Sequence, residues 1–343
     1  MGLAGVNEIA GGVEFQGGWS GVYRANLFSR VASRVLVRVA RFAATTFPQL
    51  ATGFARVPWD EWLPGGCAVE LRVACRKSRL YHSGRVQQEL AGALGAAVAA
   101  REVPVGEGGF RLQVRLEQDL VQVSLDTSGE HLHRRGYRDH VGPAPLRENL
   151  AAGLLARAGW NANEPLLDPC CGSGTIPVEA ALLASGIAPG ARRQFAFQGL
   201  PSFNQCSWQE ECERSGAATS RVTSIFASDR DPAALGLTAR AARQAGVAEA
   251  VQVACAEIDE LEPFASSGLL VANPPYGRRL RGGVAAYRAL GRALRGPLRG
   301  WRWAVVVPGG EAREALGLRS SVSYPFRNGG MRLRFEIGTP LSG

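Results

Sequence analysis

A chain of 343 residues with 46% apolar residues and a mean hydropathy of −0.05 can bury more than one core, so two or three domains are expected. No apolar run reaches membrane length, and the first residues, with Glu8 and Glu14, lack a basic segment ahead of an apolar one, so neither a membrane partner nor export is expected and a cytoplasmic location is. Seven cysteines, an odd count with no Cys-x-x-Cys pair and only four histidines beside them, argue for reduced thiols and against a disulfide framework or a structural metal.

The formal charge is +9, and 38 of the 39 basic residues are Arg, Lys77 being the single lysine. That skew reads equally as compositional bias or as phosphate ligation. Placement says more. Residues 263–310 contain no acid, yet carry Arg278, Arg279, Arg281, Arg288, Arg292, Arg295, Arg299 and Arg302; a second acid-free run, 71–88, carries Arg72, Arg76, Lys77, Arg79 and Arg85. Such runs are commonly solvated faces, but two of them without acid partners favour a polyanion.

In chain order, 13–15 reads as a short strand, and Leu27, Val31, Val35 and Val39, at steps of four, as a helix over 23–40. The Trp and Pro residues of 59–64 read as a linker. A strand at 68–74, an Ala-rich helix at 85–100 and paired strands at 111–116 and 120–125 form a second α/β unit. Pro145 opens a helix striped by Leu146, Leu150, Leu154 and Leu155. From there strands at 166–169, 222–227, 250–255, 269–272, 303–307 and 331–337 alternate with helices at 176–185, 232–245, 284–294 and 311–316. That alternation implies βαβ units and a parallel, doubly wound sheet. Residues 187–221 look like an insertion rich in aromatics, among them Phe195, Phe197, Phe203 and Trp208.

Four features carry chemistry. Asp168, Pro169, Cys170, Cys171, Gly172, Ser173, Gly174 and Thr175 follow the first strand of this sheet: a glycine-rich turn admits a ligand to the backbone, and the Asp168 carboxylate can accept from an ammonium or, through water, a hydroxyl. A dinucleotide fingerprint is disfavoured, since position 177 is Pro and the acid expected about 20 residues on is absent, Asp229 lying 57 beyond Gly172. Asp229 follows a strand end where an acid can receive ribose hydroxyls; its alternative role as a helix cap is better filled by Asp231. Glu257 stands after the next strand, placed to accept from an adenine amine or to be an ordinary surface carboxylate. Last come Asn273, Pro274, Pro275 and Tyr276. Exocyclic ring amines are poor nucleophiles because their lone pair is delocalised. Acceptors at the Asn273 side chain and the Pro274 carbonyl would let the nitrogen pyramidalise, and Tyr276 would stack on the ring. Read alone, this tetrapeptide leaves adenine, cytosine and guanine open, DNA adenine included.

Together these residues resemble the S-adenosylmethionine-dependent amino-methyltransferases. The chain is most similar to the bacterial 23S ribosomal RNA guanine-N2 methyltransferases that carry a THUMP domain, and to their tRNA relatives: Ser78, Arg79, Leu80, Tyr81, His82, Ser83 and Gly84 match the THUMP pattern, 132–138 the connector, Ala188, Pro189 and Gly190 the start of the insertion, and Asn328 and Gly329 the final hairpin turn. Departures are Glu257 where Asp is usual, Cys170 and Cys171 where Met-Cys is common, and Arg278 in place of an acid.

The resemblance implies a Rossmann-like class I methyltransferase sheet over 145–343, a connector over 129–144, a THUMP α/β domain over 56–128 and a shortened ferredoxin-like α+β domain over 1–55. It implies S-adenosylmethionine held by Asp168, Cys170, Gly172, Gly174, Asp229, Glu257 and Asn273, and catalysis by Asn273, Pro274, Pro275 and Tyr276. Structured RNA, 23S rRNA ahead of tRNA, would be gripped by Arg76, Lys77, Arg79, Arg85, Arg278 and Arg279, with no metal and a monomeric chain. The rival of another class is a non-catalytic RNA-binding assembly factor.

Overall fold

A computed structural model describes residues 2–104, 106–138, 146–215, 224–276 and 283–341. The expected helix start at Pro145, the expected strand start at Val222, and Arg278, Arg279 and Arg281 lie outside them. The chain divides into two compact units, Met1–Leu132 with Arg193–Glu213, and His133–Arg192 with Arg214–Gly343.

The first unit opens with an antiparallel hairpin of β1 (Ala4–Ile9) and β2 (Gly12–Gln16), followed by α1 (Trp19–Phe28). A helix over 23–40 does not form. Ser29 turns extended and ends α1, and β3 (Leu36–Ala43) pairs antiparallel with β7 (Leu120–Asp126). The step of four was real but ambiguous: Val37 and Val39 also satisfy a period of two, and the partner strand decides. After β3 come α2 (Phe47–Ala55) and α3 (Trp59–Trp62). The stretch expected as a linker is therefore anchored, with Trp59 buried and its Nε1 donating to the Phe54 carbonyl at 2.9 Å. Strand β4 (Ala68–Arg76), α4 (Ser83–Val98), β5 (Arg101–Glu102) and β6 (Phe110–Glu117) complete a sheet of order β3-β7-β6-β4-β5. Thus β3, ahead of residue 56, lies in the same sheet as β4 and β6.

The second unit begins with α5 (Glu148–Arg157), β8 (Leu166–Asp168) and α6 (Thr175–Ala184), and continues after α7 (Gln205–Ser215) with β9 (Ile225–Asp229), α8 (Pro232–Ala245), β10 (Val251–Cys255) and β11 (Leu269–Ala272). It closes with α9 (Gly283–Arg295), β12 (Arg302–Val307), α10 (Gly310–Leu316), β13 (Val322–Asn328) and β14 (Met331–Gly338). Its sheet runs β10-β9-β8-β11-β12-β14-β13. The first five strands are parallel; β14 is antiparallel to both neighbours, so the expected all-parallel sheet is mixed at one edge. Strand β13 escapes sequence reading because Pro325 interrupts its pattern, which an edge position tolerates. Every residue of β8 and β11 is buried between apolar layers on both faces, and the strand order reverses between them. In an open α/β sheet, that reversal places a crevice at the strands' carboxyl ends.

Candidate active site

At the end of β8, Asp168 is 1% exposed, with Oδ1 accepting from the Cys170 N–H at 3.2 Å. Burial raises its carboxyl well above the usual range; the Cys170 N–H opposes this, and the charge of Asp229 adds to it. An acid held in this way gains from a cationic partner. Burial, followed by the nearby Asp168 charge, also raises the Cys170 and Cys171 thiols, so neither is poised as a thiolate nucleophile.

The two glycines of the turn do different work. Gly172 has φ +54°, and a Cβ there would meet nothing within 4 Å, so the loop is open on that side. Gly174 has φ +79°, and a Cβ would fall 2.8 Å from Thr238 Cγ2; this is where the loop closes against α8. The Gly172 N–H donates to Asp229 Oδ2 at 2.9 Å and the Asp231 N–H to Oδ1 at 3.0 Å. Two backbone donors thus aim the Asp229 carboxylate, and each oxygen keeps a lone pair for a ligand. Asp231 caps α8 by accepting from the Ala233 N–H at 2.9 Å, as its sequence position suggested.

Past β11, Asn273 carries a buried Oδ1 with no hydrogen-bond partner among the described residues. An unsatisfied buried acceptor costs about 1–3 kcal/mol, and this one lies at the carboxyl edge of the sheet. Tyr276 is 9% exposed, and its hydroxyl accepts from Asn328 Nδ2 at 3.1 Å.

A cavity of about 1000 Å³ gathers Asp168, Cys170, Gly172, Asp229, Glu257, Asn273, Pro274, Pro275 and Tyr276 along its walls. Gly174 acts from behind, through packing. Glu257 also caps the short turn at 258–260. Sequence reasoning missed Asp259, which also lines the cavity and accepts from Arg292 Nε at 3.0 Å and Nη2 at 2.6 Å. It missed the anchor of Ser173 too, whose Oγ accepts from Arg138 Nη2 at 2.6 Å while Arg138 Nη1 donates to Glu148 at 3.0 Å. Arg138 belongs to the connector, and nothing in sequence spacing couples it to Ser173. Among the described residues, no group of three or more His, Cys, Asp or Glu is placed to hold a metal, and no helix is long and apolar enough to cross a membrane.

The other basic residues singled out lie in the first unit. Arg76, Lys77, Arg79 and Arg85 span the end of β4 and the start of α4, near Tyr81, which is 77% exposed. The run lacks acids in sequence but not in space: Arg76 is 3.7 Å from Glu117, Arg79 is 3.8 Å from Asp119 and Arg85 is 3.9 Å from Glu89. Exposed pairs at such distances are weak.

A family model described as "RMKL-like, methyltransferase domain" matches residues 135–336. The chain belongs to the RMKL-like methyltransferase family. A model of the RlmL ferredoxin-like domain matches residues 1–36, which here form the β1–β2 hairpin, α1 and the approach to β3. Among curated family relatives, the ribosomal RNA large subunit methyltransferase K/L of Methylococcus capsulatus is 34% identical over all of this chain and half of its own length. The chain spans about half the length of the curated relatives it matches. Two solved structures are similar throughout. A Listeria monocytogenes protein, described as a predicted N6-adenine-specific DNA methylase, has a TM-score of 0.88 at 29% identity, covering 97% of this chain and 90% of its own. SMU.472, solved in complex with SAH, has a TM-score of 0.86 at 27% identity, covering 98% and 92%.

Proposed function

We propose that the chain methylates the exocyclic N2 of a guanosine in large-subunit ribosomal RNA, the alternative RNA being tRNA. The observation that carries it is the Asn273 Oδ1: a buried acceptor without a partner among the described residues, next to the Pro274 carbonyl at the cavity wall. S-adenosylmethionine, when bound, supplies an electrophilic methyl group. Asp168 accepts from the donor's ammonium, Asp229 from its ribose hydroxyls and Glu257 from its adenine amine. Asn273 and Pro274 accept the two amine hydrogens of the guanine, which localises the nitrogen lone pair toward the methyl carbon. Tyr276, fixed at its hydroxyl by Asn328, stacks on the base. As the nitrogen–carbon bond forms and the carbon–sulfur bond breaks, the amine proton passes to solvent, so no strong base is required. A guanine taken from a helix must be flipped out, at a cost of a few kcal/mol.

Supporting RNA rather than DNA are the names of the curated relatives and the sheet unit bearing Arg76, Lys77, Arg79, Arg85 and exposed Tyr81, which we assign as the THUMP domain. Labelled donor offered to total RNA and to DNA should mark large-subunit rRNA, with N2-methylguanosine found by mass spectrometry. In Asn273→Ala, transfer should fall by about 100-fold, in line with loss of one charge-aligned contact in a closed site. Donor binding by calorimetry should stay within a few fold. Label in DNA or on adenine, or no transfer by the wild type, would overturn the reading; label in tRNA would move it to the alternative.

A further inference from the structure

The β13–β14 hairpin is fixed to the active site at two points. Asn328 holds the Tyr276 hydroxyl, and Gly329 and Met331 line the cavity. Its turn is a two-residue loop, Gly329 and Gly330, with φ +55° and +83°, the tight mirror-image geometry whose twist matches that of the flanking strands. Asn328 pairs with Met331 across the ladder, on the face that carries Leu333, Phe335 and Ile337 into the core.

One ladder step behind the tip, on the opposite face, Arg327 stands directly across from Arg332. Both are exposed. Like charges in this relation are destabilising, because the two side chains begin only about 5 Å apart. Nothing on the hairpin relieves them. Glu336, further along the same face, is taken by Arg334 at 3.4 Å and Arg313 at 3.7 Å, and among the described residues no acid lies in ion-pairing range of Arg327 or Arg332. The pair leaves an exposed positive site, without an acid partner among the described residues, one ladder step from the tip that lines the cavity.

We infer that Arg327 and Arg332 together clamp the phosphodiester backbone of the RNA strand next to the nucleotide that enters the cavity. The hairpin then joins two functions in one element, phosphate grip on one face and the set of Tyr276 on the other. This rests on RNA being the substrate.

The test uses the full chain and large-subunit rRNA fragments, read by fluorescence anisotropy over a range of salt. Arg327→Ala with Arg332→Ala should weaken RNA binding about tenfold and flatten the log–log salt slope by about 1.4, the value for two contacts on a single strand. Binding of S-adenosylhomocysteine by calorimetry should not change. Arg327→Glu separates this role from a structural one: it places an acid opposite Arg332, so thermal stability should hold or rise while RNA affinity falls at least tenfold. If the wild type binds RNA with a salt-dependent affinity that these variants leave unchanged, the inference is overturned and the substrate reading survives. If the wild type does not bind RNA, both fail.

Discussion

Asp168, which we propose holds the donor's ammonium, is a carboxyl buried at a cost. Its folded pKa is raised, so it favours the native state while protonated, and that contribution is lost as pH rises through the raised value. Asp168→Asn preserves an oxygen for the Cys170 N–H without a charge to bury. Urea unfolding of the unliganded variant should therefore show a stability gain of roughly 1 kcal/mol or more over the wild type above that pH, shrinking toward acid. Donor affinity should drop at least tenfold in the same variant. A variant that binds donor as tightly as the wild type would remove Asp168 from the ammonium role. The residues that sequence reading placed in this cavity, Asp168, Gly172, Asp229 and Asn273, sit at strand ends, where position follows from the alternation of elements alone. Asn328 on Tyr276 and Arg292 on Asp259 bridge 52 and 33 residues, and no periodicity records such contacts.

At the level of elements, the glycine-rich loop works only if α6 and α8 close on each other. Gly174→Ala tests this: its added methyl would fall 2.9 Å from the Thr238 Cα, a backbone atom that cannot swing away, at a φ of +79°. Strain and overpacking together should cost about 2–4 kcal/mol in chemical unfolding and weaken donor binding, although Gly174 is not itself a wall of the cavity. A loss of affinity with no loss of stability would instead mean a direct contact. The central elements were legible because burial on both faces leaves unbroken apolar runs such as Leu269, Leu270, Val271 and Ala272. Elements with one wet face were not. Strand β3 shares a valine spacing with a helix, β13 contains a proline, and two of the paired acids of the basic run, Glu117 and Asp119, come from a neighbouring strand and turn. Those identities are set by partners distant in sequence.

For the molecule as a whole, the aromatic insertion has a structural explanation. Although it falls between α6 and β9, Arg193–Glu213 belongs to the first unit, where it builds a core around Tyr23 of α1. The fully buried Tyr23 ring lies 4.8 Å from Phe197, 5.9 Å from Phe203 and 6.0 Å from Trp208, and Arg24 meets the buried Glu211 carboxylate with Nη2 at 2.7 Å and Nε at 3.1 Å. α1 carries no acid in its first turn and no base in its last, so its stability comes from this packing rather than from its ends. Truncating one wall of the cluster by Trp208→Ala should cost about 3–5 kcal/mol locally. Hydrogen exchange followed by mass spectrometry should then show protection lost over α1 and Arg193–Glu213. Saturating donor, at 100 times its dissociation constant, should add about 2.7 kcal/mol of protection to the strands of the second unit. If α1 keeps its protection in Trp208→Ala, the insertion is not what holds it, and the hairpin and sheet of the first unit must do so without the aromatic core.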